Sequence, residues 1–149
     1  GADLLLAETM NTVKEASAAA EAASATGLPF GVSFVCDAQG NLLSGESLEE
    51  AVAAVTPFGP SFLSINCTPA EHLHTALEKL HGATQLPIAA YGNSHDTEDF
   101  RHWRDAAEPP AYARLAAGWL AHGAHLVGGC CGTQPEHIAA IKVKVAQEA

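Results

Sequence analysis

The sequence predicts an α/β fold built on a parallel sheet covered by helices, and three observations carry that prediction. Five short apolar runs recur along the 149 residues, none of them alternating with polar positions, as strands buried on both faces require. A helix-like or turn-rich segment follows each run. The runs begin about 25 to 40 residues apart, the spacing of βαβ units with right-handed crossovers.

Leu4-Leu5-Leu6-Ala7 is the first run. Thr12 to Ala25 then reads as a helix, rich in Ala and Glu and stopped at Gly27. Phe30 to Val35 is the second run. The helix after it, Glu46 to Val55, places Leu48, Val52 and Val55 at helical spacing. Its first turn holds Glu46, Glu49 and Glu50, where acids favour the helix dipole. Phe62 to Asn66 is the third run. Thr68-Pro69-Ala70-Glu71 reads as a capping box with Pro at the first helical position, and it opens a helix with Leu73, Ala76, Leu77 and Leu80 on one face. Pro87 to Tyr91 forms the fourth run, and Tyr112 to His122 the next helix, ending at Gly123. After the fifth run, His125 to Gly129, Thr133-Gln134-Pro135-Glu136 repeats the capping pattern before a stripe of Ile138, Ile141 and Val145.

This length supports one domain with a real core. Apolar residues at 48% and charged residues at 16% argue against disorder. Lys plus Arg count 7 against 17 Asp plus Glu, a net charge of −10 that repels nucleic acid and anionic membrane surfaces. No apolar stretch approaches the roughly 20 residues of a membrane span. No basic, apolar leader points to secretion either, so a cytoplasmic location is expected. The chain opens at Gly1 without a Met and enters an apolar run at once, as the interior of a longer protein would. A whole (β/α)8 barrel takes about 250 residues, so five units at this density match five-eighths of one. An open doubly wound sheet of five strands fits the length as well, although no Gly-rich dinucleotide fingerprint follows the first strand.

Four cysteines are present: Cys36, Cys67, Cys130 and Cys131. Cys67 and the Cys130-Cys131 pair each sit where a strand ends before a helix cap, on the same edge of the sheet. In parallel α/β folds that edge is where chemistry collects. Neighbouring residues of a regular strand point to opposite faces, so adjacent cysteines share a partner only where the backbone leaves strand geometry. Gly128, Gly129 and Gly132 supply that freedom. Three converging thiols without a secretion signal argue for a metal rather than disulfides. Zn2+ suits three sulfurs and one open position, the catalytic arrangement. Cys36 reads as a small core hydrophobe.

Other signals read as structural. Ser94-His95-Asp96 is a polar loop, since a catalytic triad is a spatial arrangement of separated residues. His72 and His74 point to different sides of a helix and His81 is exposed, which describes a solvated face rather than a second metal site. His137 reads as a surface residue or, at most, as a support behind the metal ligands, and Trp103 and Trp119 read as packing residues, Trp119 in the core.

Asn66-Cys67-Thr68, Tyr91-Gly92-Asn93 and the run from Gly128-Gly129-Cys130-Cys131-Gly132 through Thr133-Gln134-Pro135-Glu136-His137-Ile138 resemble the C-terminal part of the zinc-dependent homocysteine S-methyltransferases. The opening Gly1-Ala2-Asp3-Leu4-Leu5-Leu6-Ala7-Glu8-Thr9 is similar to that family's mid-barrel strand with its glutamate, and Ser44-Gly45-Glu46 to a common helix approach. The resemblance runs in order over nearly the whole chain, and Gly-Gly-Cys-Cys-Gly with an upstream Asn-Cys is highly specific. It implies a partial (β/α)8 TIM barrel of about five consecutive βα units. Residues 1–149 would be the C-terminal portion of a homocysteine-binding barrel domain, with the N-terminal strands absent.

The resemblance further implies methyl transfer from an activated donor to the thiol of homocysteine, giving methionine. Cys67, Cys130 and Cys131 match the zinc ligands, and Glu8 the glutamate that receives the substrate's ammonium. Asn66 and Asn93 resemble site-lining residues. Two departures stand out. Gly92 replaces the family's usual Pro, loosening a rigid turn. The first three or so strands, with an Asp-Gly element that helps hold homocysteine and much of the donor pocket, are missing, which leaves two raw sheet edges. The donor class stays open among sulfonium, betaine-like and folate-linked carriers. Two other readings compete: a catalytically silent zinc-binding half-barrel that self-associates through its edges, and a thiol redox protein using the vicinal pair. Little turnover is expected from the 149 residues alone.

Overall fold

The structure, a computed structural model, describes residues 1–94 and 107–148. Five strands alternate with five helices: β1 (Leu5–Met10), α1 (Val13–Ser24), β2 (Phe30–Phe34), α2 (Leu48–Val55), β3 (Phe62–Pro69), α3 (Leu73–Ala83), β4 (Ile88–Asn93), α4 (Pro109–Ala121), β5 (Leu126–Gly129) and α5 (Pro135–Glu148). All strands pair in parallel in the order β1-β2-β3-β4-β5. Each strand lies beside its sequence neighbour and each helix packs on the next. A doubly wound sheet needs a reversal of strand order, and there is none. The winding is that of a (β/α)8 barrel.

The two faces of the sheet differ in chemistry. Val32, Phe34, Leu63, Ile65 and Ala90 are fully buried on the helix side, against Leu48, Val55, Leu73, Leu77 and Leu80. The alternate positions are polar: Glu8, Ser33, Ser64, Asn66 and Tyr91, with Ser33 opposite Ser64 and Asn66 opposite Tyr91. Strands β1 and β5 each have a single neighbour, and they expose Leu6 and Leu126, the latter at 63%. No helix among the described residues is long and apolar enough to cross a membrane.

Local signals set most element starts. The Thr12 hydroxyl accepts from the Glu15 N–H to cap α1, and Ser47 and Glu50 close a capping box on α2. Four expectations need correction. Thr68 caps nothing: it is buried in β3, where its hydroxyl accepts from the Cys36 N–H at 2.9 Å, and Pro69 pairs with Asn93. Helix α3 begins at Leu73, with His72 at its N-cap. Thr133 is no cap either, because its hydroxyl donates to the Cys130 carbonyl. Glu46 lies outside α2, and its carboxylate accepts from the Val13 N–H and the Ser44 hydroxyl, so it serves the start of α1. Lastly, His137 is buried rather than on the surface. Its Nδ1 accepts from the Gln134 N–H and its Nε2 donates to the Ala107 carbonyl. Trp119 is in the core as expected, donating to the Ala70 carbonyl. His95, Asp96 and Trp103 lie outside the described residues.

Candidate metal centre

Three of the strand ends carry the polar residues that matter. Strands β1, β3 and β4 run past their apolar cores, and the register of β1 and β3 slips just where they do so. Thr9 and Cys67 sit at those slips with φ of 63° and 54°, in the left-handed region that side chains with a Cβ seldom occupy. Such a conformation costs on the order of 1–3 kcal/mol and persists only where surrounding contacts over-determine it. At Thr9 the contact is Asn66. The Asn66 amide oxygen accepts from the Thr9 N–H and the Ser33 hydroxyl, and its NH2 donates to the Thr9 hydroxyl. At Cys67 the contact is Asn93, whose NH2 donates to the Cys67 carbonyl at 2.9 Å.

The Cys130-Cys131 pair leaves strand geometry as the sequence requires. The Thr133 N–H returns to the Cys130 carbonyl, and Gly132, at φ 79°, takes the position in this turn that suits glycine. Both cysteines then face Cys67. The Cys67 and Cys131 sulfurs are 3.6 Å apart, those of Cys130 and Cys131 are 4.0 Å apart, and all three lie within 4.8 Å of one another. A tetrahedral zinc with Zn–S bonds of about 2.3 Å holds its sulfurs roughly 3.8 Å apart. The cluster has that size and that donor chemistry. Among the described residues no other group of His, Cys, Asp and Glu converges this way.

Backbone bonds fix the two halves of the cluster. Asn93, only 1% exposed, joins them directly, since its amide oxygen accepts from the Cys131 N–H while its NH2 holds Cys67. The Cys130 N–H donates to the Gly92 carbonyl, and the Ser94 N–H to the Cys131 carbonyl. The thiols share protons unevenly. The Cys67 thiol donates toward Cys130 and holds the latter's pKa down at about 6, against the opposing effect of burial. Cys67 is correspondingly pushed up, by that same bond first and by burial second. Burial raises Cys131. The metal-free cluster is therefore already part thiolate, a soft donor set for a cation. Cys36 stands apart in the core, its thiol pushed up to about 12 by burial, as its reading as a small core hydrophobe requires.

The homocysteine S-methyltransferase family model matches residues 1–145. The chain belongs to the homocysteine S-methyltransferase family. It is 37% identical over 149 residues to the homocysteine S-methyltransferase of Escherichia coli (strain K12), covering 97% of this chain and 48% of that protein. It is 31% identical to the methionine synthase of Mycobacterium leprae (strain TN), over 99% of this chain and 13% of that one. The crystal structure of the homocysteine methyltransferase MmuM from Escherichia coli, apo form, matches with a TM-score of 0.79 and 35% identity, over 97% of this chain and 50% of that chain. The metallated form of MmuM matches with the same TM-score. The chain thus spans about half the length of the Escherichia coli homocysteine methyltransferases it matches, as five consecutive βα units of a TIM barrel.

Within this family member the structure brings Cys67, Cys130, Cys131 and Asn93 together at one rim, while Asn66, fully buried beside Cys67 on β3, turns its amide to Thr9 and Ser33. Glu8 is exposed on the polar face beside Tyr91. The Tyr91 phenol is pushed up to about 12, chiefly by burial and further by the Glu8 carboxylate, against a lowering by Ser33. The hydroxyls of Tyr91 and Ser64 are buried with no well-formed hydrogen bond among the described residues. In the sequence Tyr91 belongs to a motif, and Thr9 and Tyr112 carry no signal of their own. A period-2 reading of β4 could have placed Tyr91 on the polar face, whereas nothing in the pattern marks Thr9 or Tyr112.

Proposed function

We propose that this chain supplies the zinc- and homocysteine-binding part of an S-methyltransferase that makes methionine. The observation that carries the reading is the meeting of three sulfurs from distant positions, Cys67 and the Cys130-Cys131 pair, within 4.8 Å. These three would hold zinc as thiolates. Zinc, when bound, supplies a Lewis acid with a coordination position left over, which keeps an incoming thiol deprotonated at neutral pH.

The chain's own residues position the rest. Glu8 takes the ammonium of homocysteine from the polar face, and Asn93 lines the same rim while holding both cysteine backbones. Asn66, whose own polar atoms are engaged by Thr9 and Ser33, sets the strand end that carries Glu8. The homocysteine sulfur then attacks a methyl group held on a sulfonium, a quaternary ammonium or a folate-type nitrogen. A new S–CH3 bond forms, and the electron pair of the broken bond leaves with the donor. The protein contributes orientation and a deprotonated nucleophile.

The exposed edge residues Leu4, Leu6 and Leu126 favour a second, compatible statement: the open strands β1 and β5 associate with complementary strands or with a second copy. The 149 residues alone would then show little turnover. The cytoplasm, which keeps thiols reduced, is the compartment that suits four free cysteines. The test is zinc stoichiometry. The chain should bind one zinc, and Cys130→Ser should abolish stoichiometric binding; a Cys130→Ser variant that keeps its zinc would overturn the assignment.

A further inference from the structure

We propose that Tyr112 is a positioning residue for the thiol cluster: its hydroxyl, reaching in from α4, pins the ends of β4 and β5 so that Cys130 and Asn93 arrive opposite Cys67. The inference rests on reading that cluster as a metal centre.

Tyr112 is fully buried on the first turn of α4. Its hydroxyl donates to the Gly92 carbonyl at 2.6 Å and lies 3.2 Å from the Gly128 carbonyl. The Gly92 carbonyl also accepts the Cys130 N–H, at 2.9 Å. One acceptor therefore joins the phenol to the backbone of a ligand cysteine. The residue after Gly92 is Asn93, which bonds Cys67 and Cys131. Two adjacent residues of β4 thus transmit the position of one phenol to all three thiols.

The phenol itself has little freedom. Its ring meets Trp119 edge-on at 5.6 Å and His137 edge-on at 5.5 Å. His137 is held at both ring nitrogens, by Gln134 and Ala107. Strand β5 needs such an anchor, being four residues long and paired on one side only. Without the hydroxyl, the Gly92 and Gly128 carbonyls lose their common donor, and the two strand ends keep only their ladder and the bonds that Asn93 and Ser94 make to Cys131. Residues behind metal ligands typically change affinity about 10- to 100-fold when lost.

The experiment compares the 149-residue chain with its Tyr112→Phe variant, which removes one oxygen and keeps the packed ring. Zinc affinity is read by competition with a chromophoric chelator, the Co2+ form by its d–d and thiolate charge-transfer absorption, and the metal-free fold by thermal unfolding. The expected result is zinc affinity about 10-fold weaker and altered Co2+ d–d bands, with the melting of the metal-free protein lowered by only a few degrees. Wild-type affinity and an unchanged Co2+ spectrum in the variant would overturn the proposal. A parent chain that binds no zinc would instead overturn the metal reading on which it rests. Amide hydrogen exchange on the metal-free parent chain gives a second check that needs no variant: the Cys130 N–H should be protected, and exchange as fast as an exposed loop would contradict a pre-set strand end.

Discussion

Cys67 ends a strand that is paired on both sides, while Cys130 and Cys131 follow a four-residue strand at the open edge of the sheet. The first arm is fixed by the fold itself. Cys67 is flanked by Asn66 and Thr68, both fully buried, and it lies near the end of the strand that buries Leu63 and Ile65. The second arm is fixed by hydrogen bonds brought in from β4 and α4, and its cysteines, like Cys67, are half-buried. The contrast separates two properties. Stability should reside chiefly in the arm at the centre of the sheet, and the tuning of metal affinity in the arm at its edge.

The largest expected effect breaks the central arm. Ile65→Ala removes a fully buried side chain of β3 and should cost about 3–4 kcal/mol in denaturant unfolding. Because the change weakens the strand's packing and removes none of the thiols, zinc binding should be lost only as the fold is lost. An intermediate effect is expected where the arms are joined. Asn93→Ala removes the donor to Cys67 and the acceptor for Cys131, and chelator competition should show zinc affinity falling about 10- to 100-fold. A loss of stability as large as that of Ile65→Ala, with affinity intact, would erase the distinction between the arms.

The smallest effect is electrostatic and is read at the edge arm, where the bond from Cys67 acts. In the metal-free protein Cys130 is held at about 6, below its ordinary 9, while Cys67 and Cys131 are raised. A thiolate alkylates and a thiol does not, so Cys130 should react with iodoacetamide first at pH 7. The sign follows from the depressed value: reactivity appears as pH rises through about 6 and is lost below it. Peptide mapping after brief labelling checks both the site and the midpoint.

Much of this architecture was legible in the residues because buried parallel strands are written as uninterrupted apolar runs. All five runs became strands. What the runs did not show was where three of the strands stop, since the ends of β1, β3 and β4 are polar residues doing rim work: Thr9, Asn66 to Pro69, and Asn93. Thr68 illustrates the difficulty. Its neighbours imitate a capping box, but its hydroxyl is taken by the Cys36 backbone across β2 and β3, a contact between residues 32 apart that no local pattern encodes. Glu46 likewise served another helix than the one it precedes. The convergence of the thiols was readable, because two adjacent cysteines between glycines announce a turn. The supports were not. Tyr112 and His137 look like ordinary helix residues until tertiary packing turns one toward two carbonyls and the other toward Ala107.

X-ray absorption at the zinc edge of the metal-loaded chain bears most directly on the central claim. Three sulfur neighbours at about 2.3 Å, plus one lighter atom, are expected. A shell with two sulfurs or fewer, or a chain that takes up no zinc at all, would contradict it.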